Sequence, residues 1–235
     1  MILTAHQPVY LPWLGLFHKI WLAEKFVLFN TVQYLPKEWM NRNKIKENKN
    51  SEIWLTVPVL KKGFLKKKIY EIEINNNINW RRKHFKSIYI NYKKTKYFKY
   101  YIELLEDIYS KQWKYISDLN EYMLKIFLKE LGIKTGILKA SDFDFKGKKS
   151  DIVLDMCKNL GATKYIFGSQ GKNYANIKKF KENRIEVFFQ NYNHPEYLQA
   201  NGSFKPNMSI IDLLFNHGKK SLEILTNNQE NFNLK

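Results

Sequence analysis

Two histidines, an arginine-centred tetrapeptide and a glycine-bracketed turn are the groups in this sequence best suited to chemistry. His6 and Gln7 follow an apolar run, Met1 to Ala5, and precede a proline-bracketed turn, Pro8-Val9-Tyr10-Leu11-Pro12. An imidazole placed there can act as a general base or donate to a phosphate or oxyanion. It equally suits a hydrogen-bonded turn. His194, with Pro195 and Tyr197 after it, offers a second imidazole as acid–base partner. Asn41-Arg42-Asn43-Lys44 couples a guanidinium fork for phosphate or carboxylate to amides that read hydroxyls. Gly168-Ser169-Gln170-Gly171 would let a ligand approach backbone N–H groups. Tyr10 and Tyr174 join the binding candidates. Asp212, in an apolar segment, either orients a ligand or histidine or pairs with a surface lysine.

Other chemistries have no signature here. There is no Walker loop, dinucleotide fingerprint, HExxH motif or catalytic triad pattern. Cys157 is the only cysteine, so neither a disulfide framework nor a cysteine metal site is expected, and no metal site is read at all. Cys157, His18 and His84 read as packing or surface groups, and His217 suits a helix C-terminus.

These groups need elements to hold them. Residues 2–6 read as a strand, 13–24 as a helix and 26–29 as a strand, a βαβ opening that implies a parallel, right-handed crossover. Residues 31–50 read as an irregular basic loop. Ile53 to Val59 and the period-two run Ile69 to Ile74 read as strands. From Asn79 the spacing turns helical; 97–109 continues it, and Asp118 is placed as the cap of a helix through Leu131. The α/β pattern then resumes. Strands are expected at 136–140, 165–167 and 185–189, helices after Ser150, over 174–183 and after Ser209, and a frayed Asn-rich tail after Leu225. The expected fold is a single α/β domain with a mostly parallel, Rossmann-like sheet. Its halves, about 1–78 and 132–225, flank an inserted helical block, about 79–131. In such a sheet the candidate residues fall at strand C-termini, where ligands bind.

The 235 residues carry a formal charge of +18, with 40 basic residues of which only four are arginine. Abundant Lys, Asn and Ile are what an AT-rich genome writes at tolerant surface positions, yet so large a charge attracts phosphates. No apolar run reaches membrane-spanning length, and the N-terminus lacks signal-peptide features. The expectation is a soluble cytoplasmic protein whose basic surface allows peripheral contact with the inner face of a membrane.

At the same residues the sequence resembles the WbqC-like family. The matching pieces are His6-Gln7-Pro8 through Leu14-Gly15, Val32-Gln33-Tyr34, Trp39, Asn41 to Lys46, Leu55 to Val59, Leu160-Gly161-Ala162 through Gly168, Tyr174, His194 to Tyr197, Phe204, Pro206 and Ser209 to Asn216. The helices of about 80–150 match least. The resemblance implies a role in O-antigen, capsule or flagellar glycan biosynthesis, with transfer of glycine or a similar acyl group to an amino sugar. This chain has Ser169 and Gln170 where the family often shows glycines. The opening is also distantly similar to nucleotidylyltransferase-type α/β folds, which use two histidines three apart; here Val9 stands in the second place.

The expected function is therefore N-acyl or aminoacyl transfer, with glycine as one group, to an amino sugar carried by a nucleotide. His6 and His194 would be catalytic, Arg42, Lys44 and the Gly168 loop would hold phosphates, and Gln7, Asn41, Asn43 and Tyr197 would read hydroxyls. No cofactor is assigned beyond an activated acyl or aminoacyl donor, for which an aminoacyl-tRNA is one source. The alternatives are a non-catalytic glycan- or RNA-binding accessory protein and a nucleotidyltransferase-like ligase. The oligomeric state, the sugar and the donor are not legible.

Overall fold

The computed structural model describes residues 1–48, 51–200, 202–227 and 229. Most of the Asn-rich tail after Leu225 lies outside them. Among the described residues, no helix is long and apolar enough to cross a membrane.

The core is a five-stranded parallel sheet built from β1 (Ile2–His6), β2 (Lys25–Leu28), β5 (Gly136–Lys139), β6 (Lys164–Phe167) and β7 (Glu186–Phe189), in the order β5-β2-β1-β6-β7. The chain builds outward from β1 through β2 to β5, then crosses back to place β6 on β1's other side. The order thus reverses between β1 and β6, which makes their C-terminal ends the switch point of the sheet. The register Thr4↔Ile166 brings His6 level with Gly168 there.

Alternation along β1 divides its side chains between two layers. Leu3 faces α5 (Ser150–Asn159) and α6 (Ile177–Glu182), packing with Val153, Met156, Cys157 and Phe180. Ile2 and Ile166 face the other way, onto the end of α1 (Leu14–Trp21) at Leu22 and Ala23. α1 is apolar nearly all round, so it can only be a buried helix. Its Leu14, Phe17 and Ile20 join a larger core that continues into the helical block of α2 (Trp80–Tyr92), α3 (Phe98–Ser110) and α4 (Ile116–Leu131), and on to α7 (Ile210–His217). α8 (Ser221–Thr226) closes the described chain against α1.

Four local expectations are corrected. Arg42–Lys46 is a strand, β3, paired antiparallel with β4 (Glu52–Thr56), and not an irregular loop. Ile69–Glu71 is a 3₁₀ turn, because Ile69 and Ile72 both bury at a spacing of three where a strand would alternate. α4 starts at Ile116, which leaves Asp118 in its first turn, where a carboxylate favours the helix dipole. The segment after β6 is a 3₁₀ turn, Ser169–Asn173, with α6 beginning only at Ile177.

Asn43 fixes the loop that follows β1. It is fully buried, its Nδ2 donates to the Leu11 carbonyl (2.5 Å), and its Oδ1 accepts the Lys44 N–H (2.7 Å). Leu11 has a positive φ of 44°, a conformation that a leucine holds only under constraint. Replacing Asn43 by leucine leaves a buried carbonyl and N–H without partners, so stability should fall by about 2–3 kcal/mol in urea unfolding. A change below about 0.5 kcal/mol would show that the clamp is dispensable.

Candidate active site

A cleft of about 1220 Å³ opens along the C-terminal edge of the sheet. Its walls come from the loops after β1, β2, β6 and β7 and from the turn leading into α5. Of the sequence candidates, His6, Gln7, Gly168, Ser169, Gln170, Tyr174 and His194 line it.

His6 is half-buried at the switch point. Its Nδ1 lies 2.9 Å from the Gln7 carbonyl, and a carbonyl only accepts, so the ring proton sits on Nδ1 and Nε2 is left as an acceptor. Burial, and then the positive charge of Lys19, lower its pKa to about 3, so the imidazole is neutral at ordinary pH. His194 is differently placed. Its Nδ1–H donates to the Pro195 carbonyl (2.9 Å) and its Nε2 accepts the Asn207 N–H (3.1 Å). Both nitrogens are occupied, so His194 braces the wall and has no lone pair to offer as a base. The acid–base pairing of His6 with His194 is therefore not supported by this geometry.

The remaining candidates lie outside the cleft. Tyr10 is buried in the helical layer, its hydroxyl bonded to His84 Nδ1 (2.7 Å) and the Tyr109 hydroxyl (2.5 Å). Asn41 donates to the Val57 carbonyl, and Asn43 forms the clamp described above. Arg42 bonds the Lys37 carbonyl and stacks on Trp54, while Lys44 pairs with Glu52 at 2.6 Å. The tetrapeptide reads as a ligand-binding loop only until β3 is recognised: alternation then turns Asn43 inward and Arg42 and Lys44 outward. Tyr197 and Gln199 both bond Asp212, a fully buried residue in the first turn of α7.

Sequence reading missed Lys19. It lines the cleft floor yet is only 4% exposed, and its Nζ donates to the Ala5 carbonyl at 3.0 Å. Burial lowers its pKa to about 7. The signal was available, since a lysine on a helix that is apolar all round has little water to reach. Lys148 and Lys149, just before α5, also line the cleft, as do Trp13 and Trp39. An aromatic series runs outward from the site: His6–Trp13 at 5.5 Å, Trp13–Trp39 at 5.7 Å and Trp39–Trp54 at 5.4 Å between ring centroids. Among the described residues, no group of three His, Cys, Asp or Glu is positioned to hold a metal ion.

The model of the WbqC-like protein family matches residues 7–224. The chain belongs to that family. The match begins one residue after His6 and takes in every later segment of the cleft. An uncharacterized protein of Mycobacterium tuberculosis (strain ATCC 25618 / H37Rv), Rv1507c, is 32% identical over 221 residues, covering 93% of this chain and 95% of that protein. No solved structure matches the chain.

Proposed function

We propose that this WbqC-like protein transfers an acyl or aminoacyl group, glycyl being the simplest, to the amino group of a nucleotide-linked sugar destined for a surface glycan. The observation that carries this reading is His6: a neutral imidazole at the sheet's switch point, oriented by the Gln7 carbonyl, with Nε2 left as an acceptor. The sugar's amine nitrogen attacks the activated acyl carbon and forms the C–N bond. As the bond to the donor's leaving oxygen breaks, the nitrogen sheds a proton through Nε2 to that oxygen; the lowered pKa means that the imidazole relays the proton and does not keep it. A binding cleft for a drug-sized ligand is about 300–1,000 Å³, so a space near 1220 Å³ suits an extended, two-part ligand. The aromatic walls suit a base or a sugar ring.

The test supplies nucleotide-linked amino sugars together with acyl and aminoacyl donors, and follows mass gain on the sugar. Acceptors with a free amine should gain one acyl residue, and their N-acetylated counterparts should gain nothing. Glutamine at position 6 accepts a hydrogen bond but not a proton, so His6→Gln should lower kcat by about 10²–10³-fold with little change in KM. RNase treatment should abolish turnover if the donor is an aminoacyl-tRNA and leave it intact otherwise. Absence of mass gain with every acceptor, alongside steeply salt-dependent RNA binding, would replace the transferase reading with a binding module.

A further inference from the structure

We infer that the cleft holds the diphosphate of a nucleotide between Lys19 at its floor and the Gly147–Lys149 turn at the start of α5. The transfer reading above supplies only what the diphosphate is attached to. An ammonium shut away from water either meets an opposite charge or gives up its proton, and an arriving anion restores the proton. Lys19 is nine-tenths buried and, among the described residues, has one hydrogen bond, to a backbone carbonyl. Among the described residues it makes no ion pair with a carboxylate. Two of its N–H groups are left for a ligand. The adjoining wall is stripped of bulk: a Cβ at Gly168 would come 3.9 Å from the Lys19 Nζ.

The other wall is basic as well. Gly147 has a φ of 102°, and a Cβ there would meet the Ile152 nitrogen at 2.9 Å, so the turn lies tightly over the first turn of α5. Lys148 and Lys149 are exposed beside it, and Lys149 itself has a positive φ. Glu38 is the one carboxylate among the described lining residues, against three lysines. Arg42 and Lys44, which the sequence offered as phosphate ligands, are engaged elsewhere on β3. A small diphosphate ester can descend to an amine at the floor. The backbone of a folded RNA cannot, and this favours a nucleotide over a nucleic acid.

The titratable groups that share the cleft with Lys19 are His6, Tyr165, Tyr174, Tyr192, His194, Lys148, Lys149 and Glu38, and His18 precedes it on α1. Burial raises the pKa of Tyr174 and Tyr192 and lowers that of His194, so these keep their neutral forms near pH 8. His6 and His18 are already neutral at neutral pH and Tyr165 stays protonated, because burial shifts each of them that way. Proton exchange near pH 8 therefore reports on Lys19, whose free amine is mostly neutral there.

Calorimetric titration with UDP, ADP and inorganic pyrophosphate, without acyl donor and in buffers of different ionisation enthalpy, tests the site. UDP or ADP should bind with uptake of close to one proton at pH 8. Lys19→Met should weaken binding about 10- to 100-fold and abolish the uptake, a signature that a merely structural lysine would not give. The double variant Lys148→Ala/Lys149→Ala, altered only at exposed positions, should weaken binding about 10-fold and keep the uptake. Pyrophosphate competing as well as UDP would place the recognition in the diphosphate alone and still support the site. Wild-type binding without proton uptake, or affinity indifferent to Lys19→Met, would overturn the inference. So would tight binding of a single-stranded oligonucleotide that UDP and ADP fail to displace. Diphosphate binding without acyl transfer would sink the transferase reading alone, whereas transfer that survives Lys19→Met unchanged would sink the diphosphate site alone.

Discussion

Lys19→Met should make the protein more stable, by about 3–5 kcal/mol at pH 7 or below, and the gain should fade as the pH approaches 10. The sign follows from the lysine's two states. Folded, its pKa is about 7. Unfolded, it is near 10.5. Below pH 7 the native state carries a buried charge at nearly full cost. Between about 7 and 10.5 the unfolded chain holds a proton that the native chain has released, so wild-type stability rises with pH across that window. The gap of about 3.5 pKa units sets the scale, and methionine fills similar volume without the charge. Urea unfolding of both proteins from pH 6 to 10 would measure it. A methionine variant less stable than wild type at pH 7, or a stability difference independent of pH, would show that Lys19 is better solvated than its burial implies. A residue that weakens the empty protein and binds its ligand is the usual trade between stability and function at a site.

Asp212→Ala should have the opposite consequence, a loss of about 3–5 kcal/mol. Asp212 Oδ1 accepts the Tyr92 hydroxyl at 2.9 Å, while Oδ2 accepts the Tyr197 hydroxyl and the Gln199 amide, each at 2.8 Å. It also faces Lys46, a buried lysine whose ammonium bonds the Ser203 carbonyl at 2.7 Å. Burial raises the Asp212 pKa, and the donors and Lys46 act against that rise. Alanine would strand two hydroxyls in the core, leave the Gln199 amide with the Lys205 carbonyl alone and take from Lys46 its opposite charge. Asp212→Asn, which can still accept, should cost about 1–2 kcal/mol. If Asp212→Ala keeps its unfolding midpoint but loses turnover, the residue serves the reaction and not the fold.

Much of the architecture was legible because its signals are local. The βαβ opening, the apolar strand at Tyr165 and Gly132, which caps α4 at a φ of 71°, each announce themselves within a few residues. The parallel sheet followed from their alternation. The candidate site was legible where a strand ends in a polar turn, as at His6, Gln7 and Gly168. It was misread wherever a polar side chain has a buried, structural use. Asn43, Tyr10, Tyr197 and Asp212 are hydrogen-bonding residues that each have a partner far along the chain or on another element: Leu11 for Asn43, Tyr109 for Tyr10, Asp212 on α7 for Tyr197, and Tyr92 on α2 for Asp212. No periodicity reveals such pairs. Lys19 was passed over for the converse reason: lysine is read as a surface residue, and only the company it keeps on α1 says otherwise.

The position of β1 bears on how the chain is made. Its neighbour on one side, β2, is synthesised almost at once, but on the other side Thr4 pairs with Ile166. While the ribosome adds the intervening residues, one edge of an apolar strand stays open to any other chain that presents an unpaired edge. A long separation between contacting residues also slows folding. The nascent protein should therefore spend its longest vulnerable interval with its central strand half-covered. Holding chaperones would act during that interval, which ends only when residues 164–167 leave the exit tunnel.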